Sequence, residues 1–209
     1  VAPFSDLQSA RLLGKGNVEV TPSFTSVSGS EDGQTEHLFN HYGAQIGFGL
    51  AKFMDLRLRY EYLSFSEEEE TVSANVLAFG PKFRLAKNWL AFYVPVGFAF
   101  GGDIEGSSHS WQVHPTLLAT FPVAKFLEIN PSAKVMIPFD KDAFETLYAF
   151  NLGLAISSDV TKWAIRPEVG ICMGIEGREN SWSSTSMRNV RSASMLSRWT
   201  SVGVQGIVL

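Results

Sequence analysis

The four histidines of this 209-residue chain, its one cysteine and its paired charges are the residues with chemistry to offer. The stretch SSHSWQVHPT holds His109, Ser110 and His114. A serine becomes a nucleophile when a positioned base takes its proton. Glu105 or Glu145 would orient such a histidine, and lipid or peptide hydrolysis would be the chemistry. Histidine beside serine is common by chance, so no catalytic residue is assigned. His37 and His41 lie four apart; on a strand they share a face about 13 Å apart, too far for one metal ion. Cys172 stands alone, which excludes an internal disulfide and a cysteine-based metal cluster. No metal and no cofactor are expected.

The charges have a clearer pattern. In DLRLRYEYLSFS, Leu56, Leu58, Tyr60 and Tyr62 alternate with Arg57, Arg59 and Glu61. Period two means a strand with one apolar and one charged face. The stretches starting at Phe126 and Lys162 repeat it, setting Glu128 and Lys134, then Arg166 and Glu168, against Leu, Ile, Val and Trp. With Glu19, Lys82 and Arg84 from the remaining strands, ten charges share the polar face, six basic and four acidic. They are read as an ion-pair network, because an unpaired charge in a narrow interior is costly.

The elements that hold these residues must be strands. Candidate strands run over about 15–28, 37–51, 55–66, 71–86, 89–102, 109–123, 126–139, 144–158, 162–176 and 194–209, ten in all. Helical spacing is nowhere sustained, and no apolar run is long enough for a membrane helix. Lysine-marked corners at Ala51-Lys52, Ala86-Lys87, Ala124-Lys125 and Thr161-Lys162 recur about every 37 residues. They alternate with long polar connections such as GSEDGQTE, GGDIEGSS and Glu176 to Ala193. Short turns at one end and long loops at the other are the layout of an outer-membrane barrel. The reading is all-β: a single domain over 1–209, a ten-stranded antiparallel up-and-down transmembrane β-barrel, with residues 1–14 as a periplasmic lead-in.

Three features turn the apolar face toward lipid. The strands are longer than the 5–6 residues usual in globular sheets. The polar face carries small residues, Gly43, Gly47 and Gly49 on the second strand, which leave room beside bulky charges. Aromatics gather at strand ends: Phe53, Phe83, Trp89, Phe126 and Trp163 by the turns, and Tyr60, Tyr62, Phe98, Phe100, Trp111 and Phe144 toward the loops. Such rings prefer the headgroup level. Charged residues are only 18% of the chain, and its net charge of −4 indicates no general nucleic-acid affinity.

LQSARLLGKGNVEVTPSF, with its turn from Leu13 to Gly16, resembles the mature start of outer membrane β-barrel domain proteins of the Bacteroidota type; GLAKFMDLRLRYEY is similar in style. The resemblance implies the architecture and no activity, since that group is functionally mixed. Leu209 departs from the terminal aromatic of many such barrels. A cleaved signal peptide is expected before VAPFSD.

Three functions stay open: a structural, anchoring or accessory subunit, a narrow diffusion pore that weakly prefers anions, and a lipid-modifying enzyme. Outer-membrane lipid and lipopolysaccharide are the expected surroundings. A protein partner in a larger envelope complex would meet the last loop, through Arg178, Trp182, Arg188 and Arg191. The acidic rim, with Asp32, Glu67 to Glu70, Asp103, Asp140 and Asp142, is read as a solvated surface.

Overall fold

The computed structural model describes residues 6–31, 34–67, 70–101, 110–140, 146–160, 162–174 and 196–208. Its burial pattern is inside out. Along β3 (Met54–Glu67) Asp55, Arg57, Arg59, Glu61 and Leu63 are buried, while Leu56, Leu58, Tyr60 and Tyr62 are exposed. Lys82 is 0% exposed and Arg57 1%, whereas Leu152 is 50% exposed and Val169 51%. The hydrophobic effect in water would give the opposite order. A wall whose apolar side faces hydrocarbon gives this one.

The strands form one antiparallel sheet. β1 (Val18–Glu31) pairs with β2 (Gln34–Ala51), β2 with β3, and β3 with β4 (Glu70–Ala86). β4 pairs with both β5 (Leu90–Tyr93) and β6 (Val96–Phe100). Next come β7 (Gln112–Val113), β8 (Thr116–Ala119) and β9 (Phe121–Ala124), all of which pair with β10 (Leu127–Pro138). β11 (Leu147–Ile156), β12 (Trp163–Gly174) and β13 (Leu196–Val208) follow in order. β13 pairs back onto β1, from Val18↔Val208 to Ser30↔Leu196. The ladder therefore returns to its first strand, so the described strands form a closed ring, as a membrane core that cannot satisfy an open edge requires.

The sequence suggests ten strands, and the described residues form thirteen segments. The extra breaks fall at Val94-Pro95, at His114-Pro115 and at Thr120. Proline has no N–H to give the ladder. The chain still runs on across the two proline breaks, because Val94 N–H donates to Pro81 O (3.1 Å) and His114 N–H to Pro95 O (2.9 Å). The lysine corners are tight where they join β2–β3, β4–β5 and β9–β10, with Asn88 in the left-handed region at φ 53°.

The sequence reading made residues 1–14 a periplasmic lead-in, and of these the structure describes residues 6–14. Asp6, Leu7, Gln8, Ser9 and Ala10 are buried, and their partners come from strands all around the ring. Residues 6–13 thus lie within the sheet's interior. The chain leaves it through a turn at Gly14 (φ 80°) and Gly16 (φ 89°), which Asn17 closes by donating from Nδ2 to Leu13 O.

Candidate functional site

The interior is built from charges whose positions follow from the two-residue repeat. On β3, Arg57 lies between Glu19, with which it forms an ion pair, and Asp55 at 3.3 Å. Glu19 sits on β1, two strands away, and Gly47 of β2 stands opposite both. A Cβ at Gly47 would be 2.7 Å from Arg57 Nη1, so the missing side chain lets the guanidinium lie across β2. Arg59 donates from Nε to Glu61 (2.9 Å), and His41 Nδ1 is 3.4 Å from the other oxygen of Glu61. Gly43 again makes the room: a Cβ there would be 2.9 Å from Glu61 Cγ.

Into this frame the N-terminal segment brings its own groups. Asp6 meets Lys134 Nζ at 2.8 Å and accepts from Asn151 Nδ2 (2.8 Å) and from Ser132 Oγ. Arg11 donates from Nε to Glu128 at 2.9 Å. Gln8 donates to Gln45 at 3.2 Å. The wall also holds the segment's main chain. Glu168 accepts from the N–H of Asp6 and of Leu7, both at 2.9 Å. Lys82 Nζ donates to the carbonyls of Ser9 (2.6 Å) and Arg11 (2.8 Å). Thr120 Oγ1 accepts from Ala10 N–H (2.7 Å), and Asp55 accepts from Leu13 N–H (3.0 Å). Leu7 sits at φ 49°, which a bulky residue seldom adopts, and Glu168 holds it there through two consecutive amides.

Comparison with solved structures now bears on the fold. An outer membrane channel from Pseudomonas putida F1 superposes with a TM-score of 0.52 at 12% identity, covering 100% of both chains. The translocator domain of an autotransporter from Neisseria meningitidis gives 0.45 at 10% identity, over 92% of this chain and 89% of that one. The attachment invasion locus protein of Yersinia pestis gives 0.40 at 9% identity, over 93% and 99%. No family model and no curated protein matches the chain. The fold is that of the outer-membrane β-barrels. An apolar wall around a charged interior is what that fold requires of a chain in the bacterial outer membrane.

The barrel's outer face carries the aromatics. Phe53, Trp89, Phe126 and Trp163 are exposed by the turns. Tyr60, Tyr62, Phe100 and Trp111 are exposed higher up, with Phe98 stacked on Trp111 at 4.4 Å between centroids. Phe83 is half-buried, and Phe144 lies outside the described residues.

Of the charges read into the lumen, Glu19, Arg57, Arg59, Glu61, Lys82, Glu128, Lys134, Arg166 and Glu168 are buried there. Arg84 is not: it is exposed, beside the irregularity between Arg84 and Ala86 where β4 runs into its turn. Asp55 was missed as a lumen residue and is fully buried; its place two residues before Arg57 was the available signal. The described wall therefore carries five basic residues (Arg57, Arg59, Lys82, Lys134, Arg166) and five acidic ones (Glu19, Asp55, Glu61, Glu128, Glu168), not six and four. His41 finds Glu61, a pairing that spacing alone did not reveal.

Ser110 Oγ accepts from Ala99 N–H (2.8 Å) and donates to Ala99 O (3.1 Å), so it ties β6 to the start of the next strand. His114 is buried, with Nε2 at 3.2 Å from Gln112 Oε1. Cys172 packs with Val27, Met136 and Ala149 in a small apolar layer of the interior. His109, Glu105, Glu145, Asp32, Asp103 and Asp142, and the loop residues Arg178, Trp182, Arg188 and Arg191, lie outside the described residues.

Proposed function

We propose that this chain is a ten-stranded up-and-down barrel, with β5–β6 and β7–β9 each counted as one broken strand. We propose too that it is non-enzymatic and serves as a structural, anchoring or accessory subunit of an outer-membrane assembly. The observation that carries this reading is the filled interior: segment 6–13 occupies the lumen with its charges met by the wall. A barrel closed by its own chain has its outer wall and loops left for work. Lipid and lipopolysaccharide are the partners of the aromatic-edged wall. A protein partner would meet the last loop, where Arg178, Trp182, Arg188 and Arg191 lie. The turn from Leu13 to Gly16 leading into β1 supports a place among the outer membrane β-barrel domain proteins of the Bacteroidota type.

The second reading, a narrow diffusion pore, is favoured by the Pseudomonas putida neighbour, itself described as a channel. Two measurements separate the readings. Extraction in mild detergent should bring down a stoichiometric protein partner, and the native protein should give no conductance steps in a planar bilayer. A lone monomer with steady conductance would replace this reading with the pore.

A further inference from the structure

The way the lumen grips segment 6–13 goes beyond plugging. A plug held by shape needs only side-chain packing. Here four wall residues, three of them charged, reach past the side chains to the main chain. Glu168 takes two consecutive amides, Lys82 two carbonyls two residues apart, and Asp55 and Thr120 one amide each. These four residues stand on β12, β4, β3 and the break between β8 and β9, so they surround the segment. Hydrogen bonds from charged groups to peptide N–H and C=O are strong, and they are available to any polypeptide. Sequence preference is added by Lys134, Ser132 and Asn151 around Asp6, by Gln45 at Gln8 and by Glu128 at Arg11.

We propose that the lumen is a peptide-binding site, with residues 6–13 as its occupant in cis and an unfolded peptide segment as its ligand in trans. The ligand class follows from the contacts: a non-helical segment, since its amides and carbonyls must be free to meet Glu168 and Lys82, with a carboxylate five residues before a guanidinium. The direction is set as well. Leu13 lies by Asp55 at the turn end, and Asp6 lies by Asn151 and Glu168 about halfway up the wall. A peptide so bound enters from the turn end with its N-terminal side leading toward the loops. The inference rests on the filled-lumen reading above.

The test uses the full chain, folded with its segment in place. A site for a sequence-specific protease is inserted after Lys15, which is exposed in the turn, and is cut after folding. A fluorescent peptide with the sequence of residues 1–15 is then added in excess. The expected result is exchange into the lumen to one peptide per barrel. The same peptide N-methylated at Leu7, which removes one donor to Glu168 and leaves the barrel native, should bind about tenfold more weakly. Glu168→Gln should weaken the unmodified peptide similarly. A cleaved segment that never exchanges overturns the proposal. So does uptake indifferent to the N-methyl group. Neither outcome touches the proposed subunit role, which is judged on the uncut protein by co-purification and bilayer silence.

Discussion

Gly47 and Gly49 stand two apart on one inner face of β2, and their environments predict different outcomes when each becomes alanine. At Gly47 the new Cβ meets the end of the Arg57 side chain, which has torsions to move away. Gly47→Ala should cost about 1 kcal/mol and leave the N-terminal turn in place. At Gly49 the new Cβ would lie 1.7 Å from the Gly14 carbonyl oxygen, a backbone atom with no such freedom. The turn must lift, which strains the bonds from Gly16 N–H to Gly49 O and from Leu13 N–H to Asp55. Gly49→Ala should cost about 1–3 kcal/mol. It should also speed trypsin cleavage after Lys15 in the folded protein, an effect absent in Gly47→Ala. Unfolding in urea from micelles reads the first quantity and timed digestion the second. The sequence alone marked both glycines as lumen space, since small residues alternate with the polar ones there. What it could not reveal is what fills that space. Nothing periodic relates Asp6 to Lys134 or Gly14 to Gly49, because a segment without strand pairing leaves no repeat to read.

At the scale of elements, strand existence was legible and strand continuity was not. Alternation at β3, β10 and β12 states a two-faced strand at once, because one face must suit hydrocarbon and the other a crowded interior. Pro95 and Pro115 keep the alternation while removing an N–H, so the pattern passes through them and the ladder does not. Arg84 shows the converse: its phase is inward, but the wall ends before its guanidinium can be enclosed. Pro115 stands opposite Val135, whose N–H donates to Pro115 O at 3.1 Å, and proline cannot return the bond. Pro115→Ala restores that donor. The added bond contributes about 0.5–1.5 kcal/mol. Against it, the unfolded chain gains freedom worth about 0.4–1 kcal/mol. The two nearly cancel, so the urea midpoint should hardly move. The change belongs to local structure: the new amide at position 115 should be protected from hydrogen exchange as well as its neighbours in β8, joining β7 to β8. An amide there that exchanges freely would mean that the break is imposed by the fold and not by proline chemistry.

For the whole molecule, the decisive contrast lies between a wall balanced in charge among the described residues and the basic one that counting suggested. Moving Arg84 out and Asp55 in changes the wall from six basic against four acidic to five of each among the described residues. The segment itself brings Asp6 and Arg11, one charge of each sign, so its removal does not upset the balance. The charges are also neighbours: Arg57 lies with Glu19 and Asp55, and Arg59 with Glu61, so their fields cancel over short distances. An ion passing such a wall meets charges of both signs side by side rather than a ring of one sign, and rings of one sign are what confer selectivity. A barrel cut after Lys15 and washed free of its segment should therefore conduct with little preference. Under a tenfold gradient of potassium chloride its reversal potential should stay close to zero. A clear anion preference would mean that basic groups dominate the open path and that the acidic partners turn away once the segment leaves. Adding Asp55→Asn to the cut protein provides the internal control, since it removes one negative charge near Arg57 and Leu13. It should move the reversal potential toward chloride if the balance of wall charges sets the selectivity.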